Sequence, residues 1–201
     1  MKVSNYITAF ENHFEKYSHL SPWQITSRLT EVLTELLESC DSDFSIHEGI
    51  ALHKTVTIEK GAIIKAPAII GPKCFIGAHA YLRGGVFLGQ GVTIGPGCEV
   101  KSSIVFDHSS LAHFNFVGDS IVGSYVNFEA GAVIANHYNE RQDKQIRVLH
   151  QGRVVETGST KFGALVADNC KIGANAVLSP GTVLERKKVV KRLELVEQVM
   201  E

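Results

Sequence analysis

Two cationic side chains and one histidine in the middle of the chain have types and a spacing that could support chemistry. Arg83 and Lys101 lie eighteen residues apart, and His113 follows Lys101 by twelve. Neutral imidazole accepts protons near physiological pH, and two adjacent cations attract a shared anion. Acyl transfer from a thioester to an amine needs such a base and donors for the developing oxyanion, but no metal. The alternatives are a histidine on an exposed face and two cations stacked by chance.

An aliphatic residue returns at every sixth position through the first half of the chain. These residues are Leu52, Ile58, Ile64, Ile70, Ile76, Leu82, Leu88, Ile94 and Val100. A period of six fits neither an α-helix nor an ordinary strand, and it indicates a parallel β-helix built from hexapeptide repeats. Three hexads form one triangular coil, so residues eighteen apart stack about 4.8 Å from each other. We therefore expect Arg83 and Lys101 to project from the same face of adjacent coils.

The repeat is interrupted at two places in the second half of the chain. It runs in phase through Phe106 and Ala112, slips at residues 118–120, and resumes at Val122. Such defects in a regular repeat are over-represented beside active sites. The second interruption, residues 136–163, is polar and charged, and an excursion of that length from a compact solenoid is typical of a functional loop.

The segments on either side of the repeat have helical patterns. Apolar residues in 1–50 recur at helical spacing, and Ser21 with Gln24 fits a capping box. Residues 186–201 have a similar apolar stripe. We predict an N-terminal helical segment over 1–50 that caps the open first coil, a β-helix over 51–185, and a C-terminal helix over 186–201.

Composition argues against nucleic-acid and membrane partners. Twenty basic side chains against twenty-one acidic ones leave no basic excess for nucleic acid. No apolar run approaches eighteen residues, so we expect no membrane span. The cysteines, Cys40, Cys74, Cys98 and Cys170, lack metal-ligand spacing. Since Cys74 and Cys98 occupy small inward positions of the repeat, we expect buried free thiols, no metal and a reducing, cytoplasmic location.

Six short motifs between residues 81 and 164 carry a resemblance to a known family. They are YLRGG from Tyr81, EVKSS from Glu99, AHFNFVGD from Ala112, VNFEAG from Val126, AN from Ala135 and TGSTKFGA from Thr157. The segment resembles the acetyltransferase domain of bifunctional N-acetylglucosamine-1-phosphate uridyltransferases and, more closely, archaeal-type sugar-1-phosphate nucleotidylyltransferases with the same C-terminal β-helix. The resemblance implies a mainly β fold, a left-handed parallel β-helix, and a homotrimer with its sites between subunits.

The nucleotidylyltransferase domain that usually precedes this β-helix is not expected in this chain. Residues 1–50 contain no glycine-rich phosphate loop and are too few for an α/β domain. The resemblance therefore covers the acetyltransferase part alone.

The resemblance also implies roles for the residues that could carry chemistry. His113 matches the base that takes the proton of the sugar amine. Glu99 matches an acid that orients this histidine, as a carboxylate fixes an imidazole tautomer, although a solvated carboxylate is an equal alternative. Arg83 and Lys101 match the positions that hold the phosphate of an amino-sugar 1-phosphate.

Five further positions match residues that contact the acceptor in the family. Asn127 and Asn136 correspond to contacts with the sugar and the acetyl group, although each is also suited to a left-handed corner. Lys144 and Arg147 fall where the archaeal-type relatives carry two lysines. Phe116 replaces a tyrosine that contacts the sugar phosphate, and the lost hydroxyl removes a hydrogen bond worth about 0.5–1.5 kcal/mol. This departure puts the substrate in doubt more than the reaction.

The implied donor is acetyl-CoA, lying in the groove between neighbouring β-helices. Small residues at Ala130, Gly163, Gly173 and Ala174 would let its pantetheine arm approach. A basic cluster could reach its phosphates or form a solvated face; it comprises Arg186, Lys187, Lys188, Lys191 and Arg192.

The expected activity is N-acetyl transfer to an amino-sugar phosphate such as glucosamine 1-phosphate or galactosamine 1-phosphate. The alternatives are an acyltransferase for a nucleotide-linked amino sugar or a longer acyl donor, and a non-catalytic trimeric β-helix that binds sugar phosphates or serves as a scaffold.

Overall fold

A computed structural model describes residues 1–200 and shows a parallel β-helix with short helices along one side. The helices are α1 (Phe10–Phe14), α2 (Pro22–Ser27) and α3 (Leu29–Leu37), with 3₁₀ turns at Val3–Asn5 and Glu15–Tyr17. The strands are β1 (Phe44–His47), β2 (Ile50–His53), β3 (Thr57–Ile58), β4 (Ile63–Ile64), β5 (Ala68–Ile70), β6 (Phe75–Ile76), β7 (Tyr81–Leu88), β8 (Thr93–Ile94), β9 (Glu99–Val105), β10 (Ser110–Leu111), β11 (Phe116–Gly118), β12 (Ile121–Val122), β13 (Asn127–Phe128), β14 (Val133–Ile134), β15 (Arg147–His150), β16 (Arg153–Glu156), β17 (Ala164–Val166), β18 (Lys171–Ile172), β19 (Val177–Leu178), β20 (Thr182–Leu184), β21 (Val189–Val190) and β22 (Leu195–Val196). The predicted mainly β, hexapeptide-repeat architecture is therefore confirmed.

The strands form three faces, on each of which neighbouring coils pair in parallel. Face A contains β2, β5, β12, β17, β20 and the second halves of β7 and β9. Face B contains β3, β6, β8, β10, β13, β18 and β21. Face C contains β4, β11, β14, β19, β22 and the first halves of β7 and β9. Aliphatic side chains from all three faces meet in one inner core.

The inner core follows the six-residue period, which is shortened by one residue at two places: at the predicted slip, between Val117 and Val122, and one coil earlier, between Val100 and Val105. Leu88 pairs with Val105, and Val105 pairs with Val122, so both of these successive coils are seventeen residues long. The inward residue is consequently Val105, while Phe106 is buried in the outer core under the helices. Because face A is buried on both sides, either residue of the Val105–Phe106 pair satisfies a hydrophobic pattern, and the sequence alone could not place the earlier slip.

The N-terminal helices are confirmed, but they cover face A and not the first coil. The outward residues of face A form an apolar ladder, which comprises Ala51, Ile69, Phe87, Ile104, Ile121, Leu165 and Val183. Helix α3 packs against β5, β7 and β9, and the predicted capping box at Ser21 and Gln24 starts α2. A ladder of this size offers the helices more apolar area than the end of one coil, and burial of apolar area determines where they bind. The first coil instead has β1 paired antiparallel with β2.

The predicted C-terminal helix is wrong. Residues 186–200 form another coil that contains β21 and β22, and Glu201 lies outside the described residues. Val190 and Val196 follow Leu184 at the six-residue spacing and point into the inner core. This core contact outweighs helical propensity, which is a weak preference in comparison with tertiary packing.

The inserted segment leaves the solenoid at Asn136 and returns at Phe162, whose amide donates to the Asn136 carbonyl at 3.0 Å. It contains the antiparallel hairpin of β15 and β16, which packs against β20 on face A.

Cys74, Cys98 and Cys170 are buried free thiols, and burial raises the pKa of Cys74 to about 11. None of the helices in residues 1–200 has the length and apolar character needed to span a bilayer.

Replacing Phe87 by alanine should destabilise the protein strongly. Phe87 is buried, and its ring lies 5.0 Å from that of Phe14 in α1. We expect Phe87→Ala to lower the free energy of unfolding by about 3–5 kcal/mol, measured by denaturant titration. Phe114→Ala is the matched control, because Phe114 is 72% exposed, and its change should stay below about 0.5 kcal/mol. Equal losses in the two variants would contradict the assignment of the helices to face A.

Candidate functional site

Face C brings together four of the residues that the sequence predicted. Arg83 pairs directly with Lys101 on the neighbouring coil, and Glu99 pairs with Phe116. All four are partly exposed, and the stacking of Arg83 and Lys101 follows from the eighteen-residue coil. Face C therefore presents both cations, the carboxylate and the aromatic ring on one surface.

Each of the two cations is paired with a carboxylate of the chain. A nitrogen of the Arg83 guanidinium lies 2.6 Å from an oxygen of Glu99. The Lys101 ammonium donates to Asp119 Oδ2 at 2.6 Å. The repulsion between the stacked cations is thus relieved inside the protein. Glu99 binds Arg83 in this structure, and no hydrogen bond within the described residues joins it to His113.

The second of these pairs belongs to a buried cluster at the corner between faces C and A. Asn136 donates through Nδ2 to Asp119 Oδ2, which also accepts from Lys101. Gly118 leaves the room that this arrangement needs, because a Cβ there would lie 2.8 Å from Asn136 Nδ2 and 2.8 Å from Phe116 Cζ. Sequence reasoning assigned no role to Asp119. An eighteen-residue spacing from Lys101 does not by itself reveal this contact, because the coil there has seventeen residues, Gly118 pairs with Lys101, and Asp119 lies one residue further on.

His113 lies at a different corner, between faces B and C. It follows β10, its side chain is exposed, and its carbonyl accepts from the Gly131 amide at 2.9 Å. The neighbouring Phe114 is 72% exposed, and its ring packs over Gly97. Phe116 on face C follows His113 by three residues, so their Cα atoms lie within about 11 Å of each other. The imidazole is open to solvent at the edge of the face that carries Arg83 and Lys101.

Three of the predicted coenzyme and sugar contacts lie on or beside face B. Asn127 is exposed between Ser110 and Lys171 on the neighbouring coils. A groove of about 470 Å³ includes Asn127 and Gly173 together with Glu129, Lys171 and Arg192. The Ala174 amide donates to Glu129 Oε2 at 2.9 Å, next to this groove.

Ala130 lies beside His113, at the corner between faces B and C. The Asn175 amide donates to its carbonyl at 3.0 Å, just as the Gly131 amide donates to that of His113. The Arg192 guanidinium binds Glu129 through two nitrogens and holds the pKa of that carboxyl below its usual value. Arg192, a member of the predicted basic cluster, therefore has an acidic partner within the chain.

The remaining predicted residues lie away from both groups or inside the protein. Gly163 is buried, and a Cβ there would lie 2.2 Å from the Gly118 carbonyl oxygen, so coil packing accounts for this glycine. Arg147 is held by Asp143 and Glu156 at the base of the β15–β16 hairpin. Lys144 is exposed in the same inserted segment. Among residues 1–200, no group of three or more histidine, cysteine and acidic side chains is placed to hold a metal ion.

Comparison with known proteins identifies the family. The family model described as the GMPPB C-terminal domain matches residues 80–190, just over half of the chain. The chain belongs to the GMPPB C-terminal domain family. The matched range begins one residue before β7 and ends with β21, so it includes every coil that carries a predicted site residue.

Two curated relatives confirm the resemblance for this part of the chain. A bifunctional sugar-1-phosphate nucleotidylyltransferase/acetyltransferase of Sulfurisphaera tokodaii is 36% identical over 84 residues, which are 41% of this chain and 20% of the relative. The bifunctional protein GlmU of Methanococcus maripaludis is 32% identical over 92 residues, 46% of this chain and 22% of the relative. The chain thus spans about a fifth of the length of these relatives.

A solved hexapeptide transferase family protein of Anaplasma phagocytophilum aligns with 73% of this chain and 80% of its own length. The sequence identity is 17% and the TM-score is 0.35.

The two ion pairs of the site should contribute unequally to stability. The side chains of Lys101 and Asp119 are 18% and 9% exposed, against 36% and 31% for Arg83 and Glu99. We expect Lys101→Met to lower the free energy of unfolding by about 3 kcal/mol, because it leaves a buried carboxylate uncompensated. Arg83→Met is the matched control and should change it by less than about 1 kcal/mol. Denaturant titration at one protein concentration checks both, and equal effects would contradict the assigned burial of the Lys101 pair.

Proposed function

We propose that this protein is an acetyl-CoA-dependent N-acetyltransferase whose acceptor is an amino-sugar phosphate, with glucosamine 1-phosphate or galactosamine 1-phosphate as the substrates to test. The observation that carries the proposal is the arrangement of Arg83, Lys101 and Phe116 on face C, at whose edge His113 lies open to solvent. An anion site beside an exposed base is what this reaction requires. The family relationship supports the same reaction, since two relatives are bifunctional proteins and one of them is named as an acetyltransferase.

In the proposed reaction, His113 is the general base. The neutral imidazole accepts a proton from the ammonium group of the sugar, and the resulting amine attacks the thioester carbonyl of acetyl-CoA directly. The new C–N bond forms as the C–S bond breaks, and the proton that the attacking nitrogen loses passes to the departing sulfur, so the coenzyme leaves as a thiol. Positioning of the two substrates supplies much of the rate enhancement in such a transfer, and no covalent enzyme intermediate is needed.

Face C keeps a positive balance that suits a phosphate group. Besides Arg83 and Lys101, a third cation, Lys65, lies with its ammonium 5.3 Å from the centre of the Tyr81 ring. The Arg83 guanidinium lies 5.6 Å from the same ring. Three cations against the two carboxylates of Glu99 and Asp119 leave one net positive charge for the anion. A phosphate would add hydrogen-bond acceptors for donors of Arg83 that do not face Glu99.

The coenzyme is proposed to bind along the exposed corner of His113 and the groove on face B, against Ala130, Gly173 and Ala174. Asn127 and Asn136 are the proposed contacts to the sugar and the acetyl group, and Lys144 and Arg147 are available for the acceptor only from a neighbouring copy or after movement of the hairpin. His113 is uncovered on a single chain, so we propose a homotrimer in which a neighbour encloses the coenzyme. The free thiols favour a cytoplasmic location.

Removal of the proposed base should abolish most of the activity. With acetyl-CoA and glucosamine 1-phosphate, we expect release of free thiol, and His113→Ala should lower kcat by about 100-fold or more. His108→Ala is the matched control, because His108 is also an exposed corner histidine, stacked on Tyr125 at 5.0 Å. Galactosamine 1-phosphate and free glucosamine complete the acceptor series.

Two results would count against the proposal. Full activity of His113→Ala would exclude this histidine as the base. Absence of thiol release with every amino sugar, including nucleotide-linked ones and longer acyl donors, would favour a non-catalytic β-helix that binds sugar phosphates.

Phe116 should influence the affinity for the acceptor. The tip of its ring reaches the space above Gly118 beside the Asn136 amide, so a hydroxyl added there would face the proposed acceptor site. We expect Phe116→Tyr to lower the KM for an amino-sugar 1-phosphate by about 2- to 10-fold. Phe75→Tyr on face B is the matched control and should leave KM unchanged. An unchanged KM in Phe116→Tyr would place the acceptor elsewhere.

A further inference from the structure

Asp119 is a buried carboxylate that touches two of the proposed acceptor contacts. Its residue is 6% exposed, and its Oδ2 accepts from the Lys101 ammonium at 2.6 Å and from Asn136 Nδ2. Lys101, Asp119 and Asn136 come from three successive coils. One carboxylate oxygen therefore links the phosphate contact of one coil with the acetyl or sugar contact of another.

Backbone hydrogen bonds to the neighbouring coils also hold Asp119 in place. Its amide donates to the Lys101 carbonyl at 2.8 Å, and its carbonyl accepts from the Gly163 amide at 2.9 Å. It adopts a left-handed conformation with φ of +46°, which an aspartate tolerates better than most residues. The carboxylate cannot move without breaking contacts to the coils on both sides, so its two donors are held in one geometry.

The hydrogen bonds to Asp119 determine which polar atoms of Lys101 and Asn136 are left to bind a ligand. A carboxylate only accepts hydrogen bonds, so the amide nitrogen of Asn136 must face Asp119. The amide oxygen Oδ1 then points away from Asp119 and forms a hydrogen bond with His137 Nδ1 at 3.2 Å, which leaves one of its lone pairs for a ligand. Lys101 has its ammonium tethered, with one further long contact of 3.5 Å to Ser102 Oγ, and keeps donor capacity for an anion.

We propose that Asp119 is the positioning residue of the acceptor site: it orients the Lys101 ammonium toward the phosphate and turns Asn136 so that its carbonyl oxygen faces the acceptor. The proposal rests on the function proposed above. It assigns Asp119 no contact with either substrate and no part in proton transfer.

Asp119→Asn tests the proposal, because it keeps the shape and removes the charge. We expect the KM for the amino-sugar phosphate to rise by about tenfold or more, because the lost orientation of Lys101 and Asn136 outweighs the added positive charge on face C, which alone would lower this KM. We expect kcat to change little, because the base is not altered, and the KM for acetyl-CoA to rise less than that for the acceptor, because only Asn136 is a proposed contact to the acetyl group. Steady-state thiol release with each substrate varied in turn gives both constants.

Asp168→Asn is the matched control. Asp168 is likewise a corner aspartate, 5% exposed, and it accepts from the amides of Thr8 and Ser124 at the corner between faces A and B. Asp168→Asn should lower the melting temperature without changing the KM for the acceptor or for acetyl-CoA. If both variants raise the KM of the acceptor alike, Asp119 has only a structural role and the proposal is wrong.

A double-variant cycle keeps the test usable if Asp119→Asn folds poorly. Lys101→Met combined with Asp119→Asn carries no unpaired buried charge and should fold better than Lys101→Met alone. Adding Asp119→Asn to Lys101→Met should raise the acceptor KM by far less than it does in the wild type, because the Lys101 part of its effect is already lost. Full additivity of the two effects on the acceptor KM would overturn the proposal.

Lack of activity in the wild-type protein would refute the proposed function and this inference with it. An active wild type with an unchanged acceptor KM in Asp119→Asn would refute the inference alone.

Discussion

Parallel backbone hydrogen bonding between successive coils places side chains that are seventeen or eighteen residues apart on a single line. Each strand forms backbone hydrogen bonds with the strands of the coils above and below it. The neighbours of a polar side chain on a face are therefore fixed by its position in the repeat. Arg83 and Lys101 meet for this reason, and Asp119 follows at the next corner. The inner core of aliphatic residues holds the register, because a slip by one residue would turn every inward side chain outward. The chemistry that the surface can support is therefore determined by the repeat length.

Much of this architecture could be predicted from the sequence, because a six-residue period has no other common explanation. The stacking of Arg83 on Lys101 followed from the same arithmetic. The slip between Val117 and Val122 was predicted, but the earlier one could not be, since Val105 and Phe106 are both apolar and both buried. The target of the N-terminal helices was missed for a related reason. The residues that attract the helices are the apolar ones between the inward positions of face A, such as Phe87 and Ile104, and these are not part of the six-residue period.

The site was predicted in its residue types more than in its contacts. His113, Arg83 and Lys101 were identified as candidates, but their partners depend on geometry that a linear pattern does not contain. Glu99 was expected near the histidine and binds Arg83 instead, because the two side chains project from the same face one coil apart. The C-terminal segment was misread because its valines satisfy a helical stripe and a hexad equally well. Packing on the preceding coil favours the coil over the helix, and this packing depends on the folded structure of that coil.

The contacts that hold the residues around Tyr6 have a consequence for folding during synthesis. Arg186 donates to the backbone carbonyl of Tyr6 at 2.9 Å across 180 positions of sequence, and the Tyr6 hydroxyl lies 3.0 Å from Nδ1 of His150. A ribosome releases the residues around Tyr6 long before the coil that anchors them has been synthesised. The apolar side chains of α1 can pack on Phe87 and Phe106 earlier, whereas the contacts of Tyr6 wait for His150 and Arg186, and pairing over such separations is slow to form. The contacts of Tyr6 are thus among the last in the fold to form.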